Sequence, residues 1–127
     1  GSSDFSDKNT VIYGHNMKNQ TMFHALTLYK EQSYYDAHPR MYLLTPQGNY
    51  VLELFSGFVT RVSDDTWQRT FQNEGSYADW LSRVKKKSSF KSSVQVGSQD
   101  RCVTLSTCSY EYDDARYVVV AKLTRAN

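Results

Sequence analysis

Apolar residues recur with a period of two along some stretches of the chain and at helical spacing along others, and the two periods predict different elements. About five stretches read as strands: Thr10-Val11-Ile12-Tyr13, which stops at Gly14-His15, then Met41 to Thr45, Asn49 to Val62, Val103 to Thr107 and Tyr117 to Leu123. Pro46-Gln47-Gly48 joins the second strand to the third, since proline and glycine each suit one position of a tight turn. The third strand is long enough to bend at Gly57. The polar segment Ser109 to Ala115 is short enough to join the last two strands as an antiparallel pair, so that Cys108 leaves one strand near the point where Arg116 enters the next.

Helical spacing appears in the remaining segments. Met22, Ala25, Leu26 and Tyr29 predict an amphipathic helix that runs to about Lys30 with Thr21 as its N-cap. A short helical turn over Gln32 to His38 is stopped by Pro39. Another turn falls within Asp64 to Phe71. Ser76-Tyr77-Ala78-Asp79 resembles a capping box, with Asp shorter than the usual Glu or Gln, and Tyr77, Trp80, Leu81 and Val84 form the buried stripe of the helix that follows. Gly1 to Asn9 reads as a polar loop and Ser88 to Ser98 as a polar connection; no internal repeat or linker divides the chain.

Composition narrows the function classes only modestly. At 127 residues the chain is one small domain with a core of modest size, and a formal net charge of +2 predicts no strong electrostatic partner, nucleic acid included. Lys85-Lys86-Lys87 lies at a predicted helix end, where cations meet the negative end of the helix dipole. No stretch approaches the roughly 20 apolar residues that span a bilayer, and the first residues lack the form of a signal peptide, so a membrane anchor would lie outside this chain. The three histidines are scattered, without clustered Cys or carboxylate partners, so no metal site and no cofactor is expected.

The two cysteines, Cys102 and Cys108, belong to one predicted strand. Six residues at about 3.3 Å each would separate their Cα atoms by roughly 20 Å, too far for a disulfide, which needs less than about 7 Å. Cys102 then reads as a small buried hydrophobe. Cys108, at the strand end beside a polar loop, reads as exposed.

Asn9-Thr10-Val11-Ile12-Tyr13-Gly14-His15-Asn16-Met17, the following Met22-Phe23, Thr104-Leu105-Ser106-Thr107-Cys108 and Arg116-Tyr117-Val118-Val119-Val120-Ala121-Lys122 together resemble a class B sortase from about Asp4 to Leu123. The resemblance implies a cysteine transpeptidase on the outer face of a Gram-positive membrane. Such an enzyme cleaves a C-terminal sorting signal after its Thr, forms a thioacyl intermediate, and transfers the surface protein to an amine of a cell-wall peptidoglycan precursor or of another protein. It also implies a mainly β fold with helices, a sortase-type β-barrel. The family barrel has eight strands preceded by helices, so residues 1–127 are expected to be a single catalytic domain that lacks the N-terminal helices and first strands. An open barrel would leave unpaired strand edges that invite another chain.

Three residues then acquire roles. Cys108 is the expected nucleophile, since a thiolate attacks an amide carbonyl readily while a free thiol, of pKa about 8.5, is mostly protonated near neutrality. His15 is the expected proton partner and Arg116, which stays protonated at any physiological pH, the expected donor to the substrate carbonyl or oxyanion. Read without the family, a histidine such as His15 is more often a solvated or core residue than a catalyst, as His24 and His38 are expected to be, and Arg116 could pair with Glu111, Asp113 or Asp114. For substrate binding the resemblance carries over Tyr13 and Ser106 from the two motifs, and more loosely Ser63 and Trp67 from the connection before the long helix. Trp67 reads equally well as core. Ser109 stands where some family members carry an acid.

Other classes fit less well. A papain-like protease places its cysteine before its histidine, the reverse of the order here, and a chymotrypsin-like cysteine protease would show a glycine where this chain has Thr107. A non-catalytic β-rich peptide-binding module, or an inactive sortase-like fragment, remains the alternative, given ten tyrosines and two tryptophans.

Overall fold

A computed structural model describes residues 7–13, 25–107 and 115–126. Its strands are β1 (Asn9–Tyr13), β2 (Arg40–Thr45), β3 (Gly48–Arg61), β4 (Arg101–Ser106) and β5 (Ala115–Arg125). They form one curled half-barrel sheet in the order β1-β4-β5-β3-β2. β4 and β5 are antiparallel, as the short polar connection implies, whereas β1 joins β4 in parallel, pairing Asn9 with Cys102 and Tyr13 with Ser106.

Both faces of the sheet are buried, which accounts for the nearly unbroken apolar run of β5. On the first face Leu54, Val103, Leu105, Tyr117, Val119 and Ala121 pack under Leu26, Tyr29, Tyr35 and Phe90. On the second, Phe58, Cys102, Val118 and Val120 pack under a long helix, α2 (Glu74–Lys87). Tyr77, Trp80, Leu81 and Val84 of α2 are all buried, as their spacing predicts, and each such apolar side chain contributes about 1.5–3 kcal/mol.

Local structure departs from the sequence expectation in three places. The segment over the first face is a 3₁₀ helix at Ala25–Lys30, followed by the short helix α1 (Gln32–Ala37); Thr21 and Met22 fall outside the described residues. At three residues per turn a 3₁₀ helix keeps Leu26 and Tyr29 on one side, so their spacing suits it as well as an α-helix. α2 begins two residues before Ser76, capped by Asn73, whose Oδ1 accepts from the Ser76 backbone N–H at 2.8 Å. The irregularity in β3 lies between Leu54 and Ser56 rather than at Gly57. The extra residue, Phe55, faces α2, so one strand serves the first face with Leu52 and Leu54 and the second with Phe55 and Phe58. Gly57 instead admits two rings to the strand, since a Cβ there would lie 2.6 Å from Tyr117 Oη and 2.8 Å from Phe90 Cε2.

The β2–β3 turn is as tight as Pro46-Gln47-Gly48 implies, with Gly48 at φ +151°, a conformation that favours glycine. Beyond β2 the free edge of β3 is covered by the segment after α2: Gly57 N–H donates to Ser88 Oγ (3.1 Å) and Gly57 O accepts from Ser89 N (2.7 Å). In the last turn of α2, Lys85 Nζ donates to Val96 O (3.1 Å) and Lys87 Nζ lies over the Phe58 ring, so two of the three lysines serve the fold. No helix among the described residues is long and apolar enough to cross a membrane.

Candidate active site

Four strands reach one end of the sheet together. Tyr13, the last residue of β1, pairs with Ser106, the last of β4; Ser106 pairs with Val118 of β5, and Arg61, the last of β3, pairs with Ala115. His15, Cys108 and Ser109 follow this end in sequence and lie outside the described residues, as do Glu111, Asp113 and Asp114. Arg116 is described. It is the second residue of β5, half-buried, paired in register with Thr60, and its Nη1 donates to Ala115 O at 3.1 Å. Alternation along β5 puts Arg116 on the face of Val118 and Val120, beneath α2.

The end of β4 is held by hydroxyls. Thr107 N–H donates to Tyr117 O (3.0 Å), and Tyr117 N–H donates back to Thr107 Oγ1 (3.2 Å). The Thr107 carbonyl instead accepts from Ser106 Oγ at 3.1 Å. The chain therefore leaves the ladder at Thr107 while its buried polar groups stay satisfied. Sequence reasoning misses Thr107; the signal that could find it is an adjacent Ser-Thr pair at a strand end. Thr107→Val should leave the buried Tyr117 N–H without its partner and lower stability by about 1–3 kcal/mol, measurable as a shift of the urea midpoint.

Of the substrate-binding candidates, Tyr13 and Trp67 meet: their rings stack with centroids 5.7 Å apart and planes 24° apart. Trp67 packs partly against the α2 cluster, as its core reading expects, and its ring also stacks on Tyr13. Ser106 is fully buried with its hydroxyl turned to the strand end, and Ser63 is exposed in the turn after β3.

The connection that carries Trp67 is fixed at several points. Its indole N–H donates to Arg61 O (2.9 Å), Trp80 Nε1 donates to Asp65 O (2.9 Å), and Asp64 Oδ2 accepts from Arg61 N–H (2.9 Å) and Thr60 Oγ1 (2.7 Å). The Arg61 backbone N–H, then the Thr60 hydroxyl, hold the Asp64 carboxyl below its ordinary range. A depressed carboxyl stabilises the fold above its unfolded pKa, and that contribution is lost as the pH falls through the folded value. Stability that Asp64 contributes near neutrality should therefore vanish below the usual carboxylate range. Wild type and Asp64→Asn should differ in Tm at pH 7 and converge in strong acid, which a pH series of thermal melts would check.

Cys102 is buried, its Sγ 3.3 Å from Tyr77 Oη, and burial pushes its thiol up to about 12. A thiol so placed packs and does not react. Among the described residues no group of His, Cys, Asp and Glu is placed to hold a metal ion.

The sortase domain model matches residues 3–124. The chain belongs to the sortase family. It is 37% identical over 121 residues to sortase B of Staphylococcus aureus and 37% identical over 123 residues to sortase B of Listeria monocytogenes, covering 94% and 95% of this chain. The solved Staphylococcus aureus sortase B–substrate complex superposes with a TM-score of 0.85 at 36% identity, covering 95% of this chain and 57% of that one. This sortase chain spans about half the length of the curated relatives it matches, 50% of each. The mainly β fold inferred from its motifs matches that part of the sortase B structure which the chain covers.

Proposed function

We propose that this chain carries the catalytic residues of a sortase-type cysteine transpeptidase, with Cys108 as nucleophile, His15 as proton partner and Arg116 as oxyanion donor. One observation carries the reading. Partners in β1 and β4 stand 93 positions apart, as in Tyr13 and Ser106, and His15 and Cys108 are separated by that same 93. Ser106 pairs with Val118 in β5, and one step of two residues outward on each strand leads to Cys108 and Arg116. This equal spacing supports the reading: were both registers to continue two residues outward, the three residues would fall on one line across the sheet.

In the reaction, the Cys108 thiolate adds to the carbonyl of the sorting-signal Thr, forming a C–S bond, and Arg116 donates to the oxyanion. The C–N bond breaks as His15 gives its proton to the departing amine. An acceptor amine then attacks the thioester and yields its proton to His15, and the C–S bond breaks to restore the thiolate. Tyr13 and Trp67 would form an aromatic wall beside the sorting peptide, with Ser63 at its outer end and Ser106 behind it supporting the strand. The substrates are surface proteins bearing a C-terminal sorting signal, the acceptor is an amine of a cell-wall precursor or of a protein, and the site of action is the outer face of a Gram-positive membrane.

A panel of fluorogenic sorting peptides, incubated with and without amine acceptors, tests the proposal by mass spectrometry of the products. Cleavage after Thr, with conversion to the amide when amine is present, is the expected result. A peptide bound but never cleaved would favour a binding module instead.

A further inference from the structure

Asn9 opens β1 and is fully buried. Its Nδ2 donates to Gln68 O (2.9 Å) and Thr66 O (3.3 Å), its Oδ1 accepts from Thr104 Oγ1 (2.8 Å), and its backbone N–H donates to Arg69 O (3.2 Å). Both amide hydrogens and the amide oxygen are used, so no other side chain of this size could satisfy the same set. Each partner lies in a segment that feeds the candidate site. β1 leads from Asn9 to Tyr13 and, six positions on, His15; β4 leads from Thr104 to Cys108, four positions on; residues 66–69 carry Trp67.

The β1–β4 pairing needs such a pin. It is a parallel pair of five residues at the end of the sheet order. A slip of one residue would turn Val11 and Tyr13 to the wrong face, but a slip of two would preserve the alternation and move β1 by about 6.6 Å along β4. Apolar patterning alone does not forbid that slip. A buried amide whose acceptor and donors face fixed partners on two other segments does.

We propose that Asn9 is a positioning residue that sets the register of β1 against β4 and against the Trp67 connection, and so the approach of His15 to Cys108. The inference rests on the catalytic reading above.

The test is the pH profile of Cys108 alkylation by iodoacetamide in the full chain, for wild type, Asn9→Ala, Thr104→Val, Thr104→Ser and His15→Ala. Folded fraction comes from circular dichroism, and kcat and KM from a sorting peptide. Asn9→Ala should lower kcat at least about tenfold with a smaller change in KM, since a displacement near 1 Å can cost on the order of 10² in rate. Its labelling profile should move toward that of His15→Ala. Thr104→Val should move the same way by less, and Thr104→Ser, which keeps the hydroxyl, should restore the wild-type profile. Should Asn9→Ala fail to fold, the Thr104 pair decides the matter, because it alters one arm of the clamp. Folded variants with the wild-type profile, alongside a shifted His15→Ala profile, would overturn the proposal alone. A His15→Ala profile identical to wild type would overturn it together with the catalytic reading.

Discussion

Cys108→Ala should abolish cleavage of a sorting peptide, whereas Cys102→Ala should keep most of it. The two thiols stand six positions apart in one stretch of sequence. Cys102 is in β4 under α2, with its thiol pushed up to about 12 by burial. At neutral pH it offers almost no thiolate, and its replacement by alanine removes one sulfur from a packed cluster at a cost of about 1 kcal/mol. Cys108 is the next residue in sequence after Thr107, which ends the β4–β5 pairing, and the resemblance assigns it the nucleophile's role. A thiol reagent should accordingly label Cys108 far faster than Cys102. Equal loss of activity in both variants, each still folded, would remove the nucleophile assignment.

Arg116→Lys should retain the fold and lose at least about tenfold in kcat/KM. Loss of a single oxyanion donor typically costs about 10² to 10³ in rate, and lysine keeps the charge while losing the planar fork of donors. Arg116 is half-buried in a strand held on both sides, by Thr60 in β3 and through Val118 by Ser106 in β4, so the substitution has a rigid frame around it. Steady-state kinetics on a cleaved peptide, with a thermal melt to show that the variant is folded, make the comparison. Unchanged kinetics would reduce Arg116 to a structural residue.

What the sequence discloses, and what it does not, follows the range of the interactions involved. The stripe of Tyr77, Trp80, Leu81 and Val84, the Pro46-Gln47-Gly48 turn and the antiparallel β4–β5 pair depend on residues close in sequence, and each is present. The parallel pairing of β1 with β4 joins residues 93 positions apart, and alternation in either strand says nothing of its partner. Asn9 reads as the end of a polar loop for the same reason: its partners Thr66, Gln68 and Thr104 are all remote, so a buried and satisfied amide looks like a solvated one. Asn73 displaces Ser76 as the helix cap because both carry oxygen acceptors, and the position of the chain's turn decides between them. Trp67 reads as core or as substrate-binding from sequence, and in the fold it packs against the α2 cluster and stacks on Tyr13. The catalytic assignments come from motif resemblance, and His15 and Cys108 lie outside the described residues.

The most direct measurement is the intact mass of the chain after brief incubation with a cleavable sorting peptide and no amine acceptor, followed by proteolytic mapping of the modified residue. The account predicts an added mass equal to the acyl fragment ending in Thr, located on Cys108 and discharged by an added amine with release of the corresponding amide. An adduct on Cys102, or peptide cleavage with no covalent intermediate that amine can discharge, would contradict it.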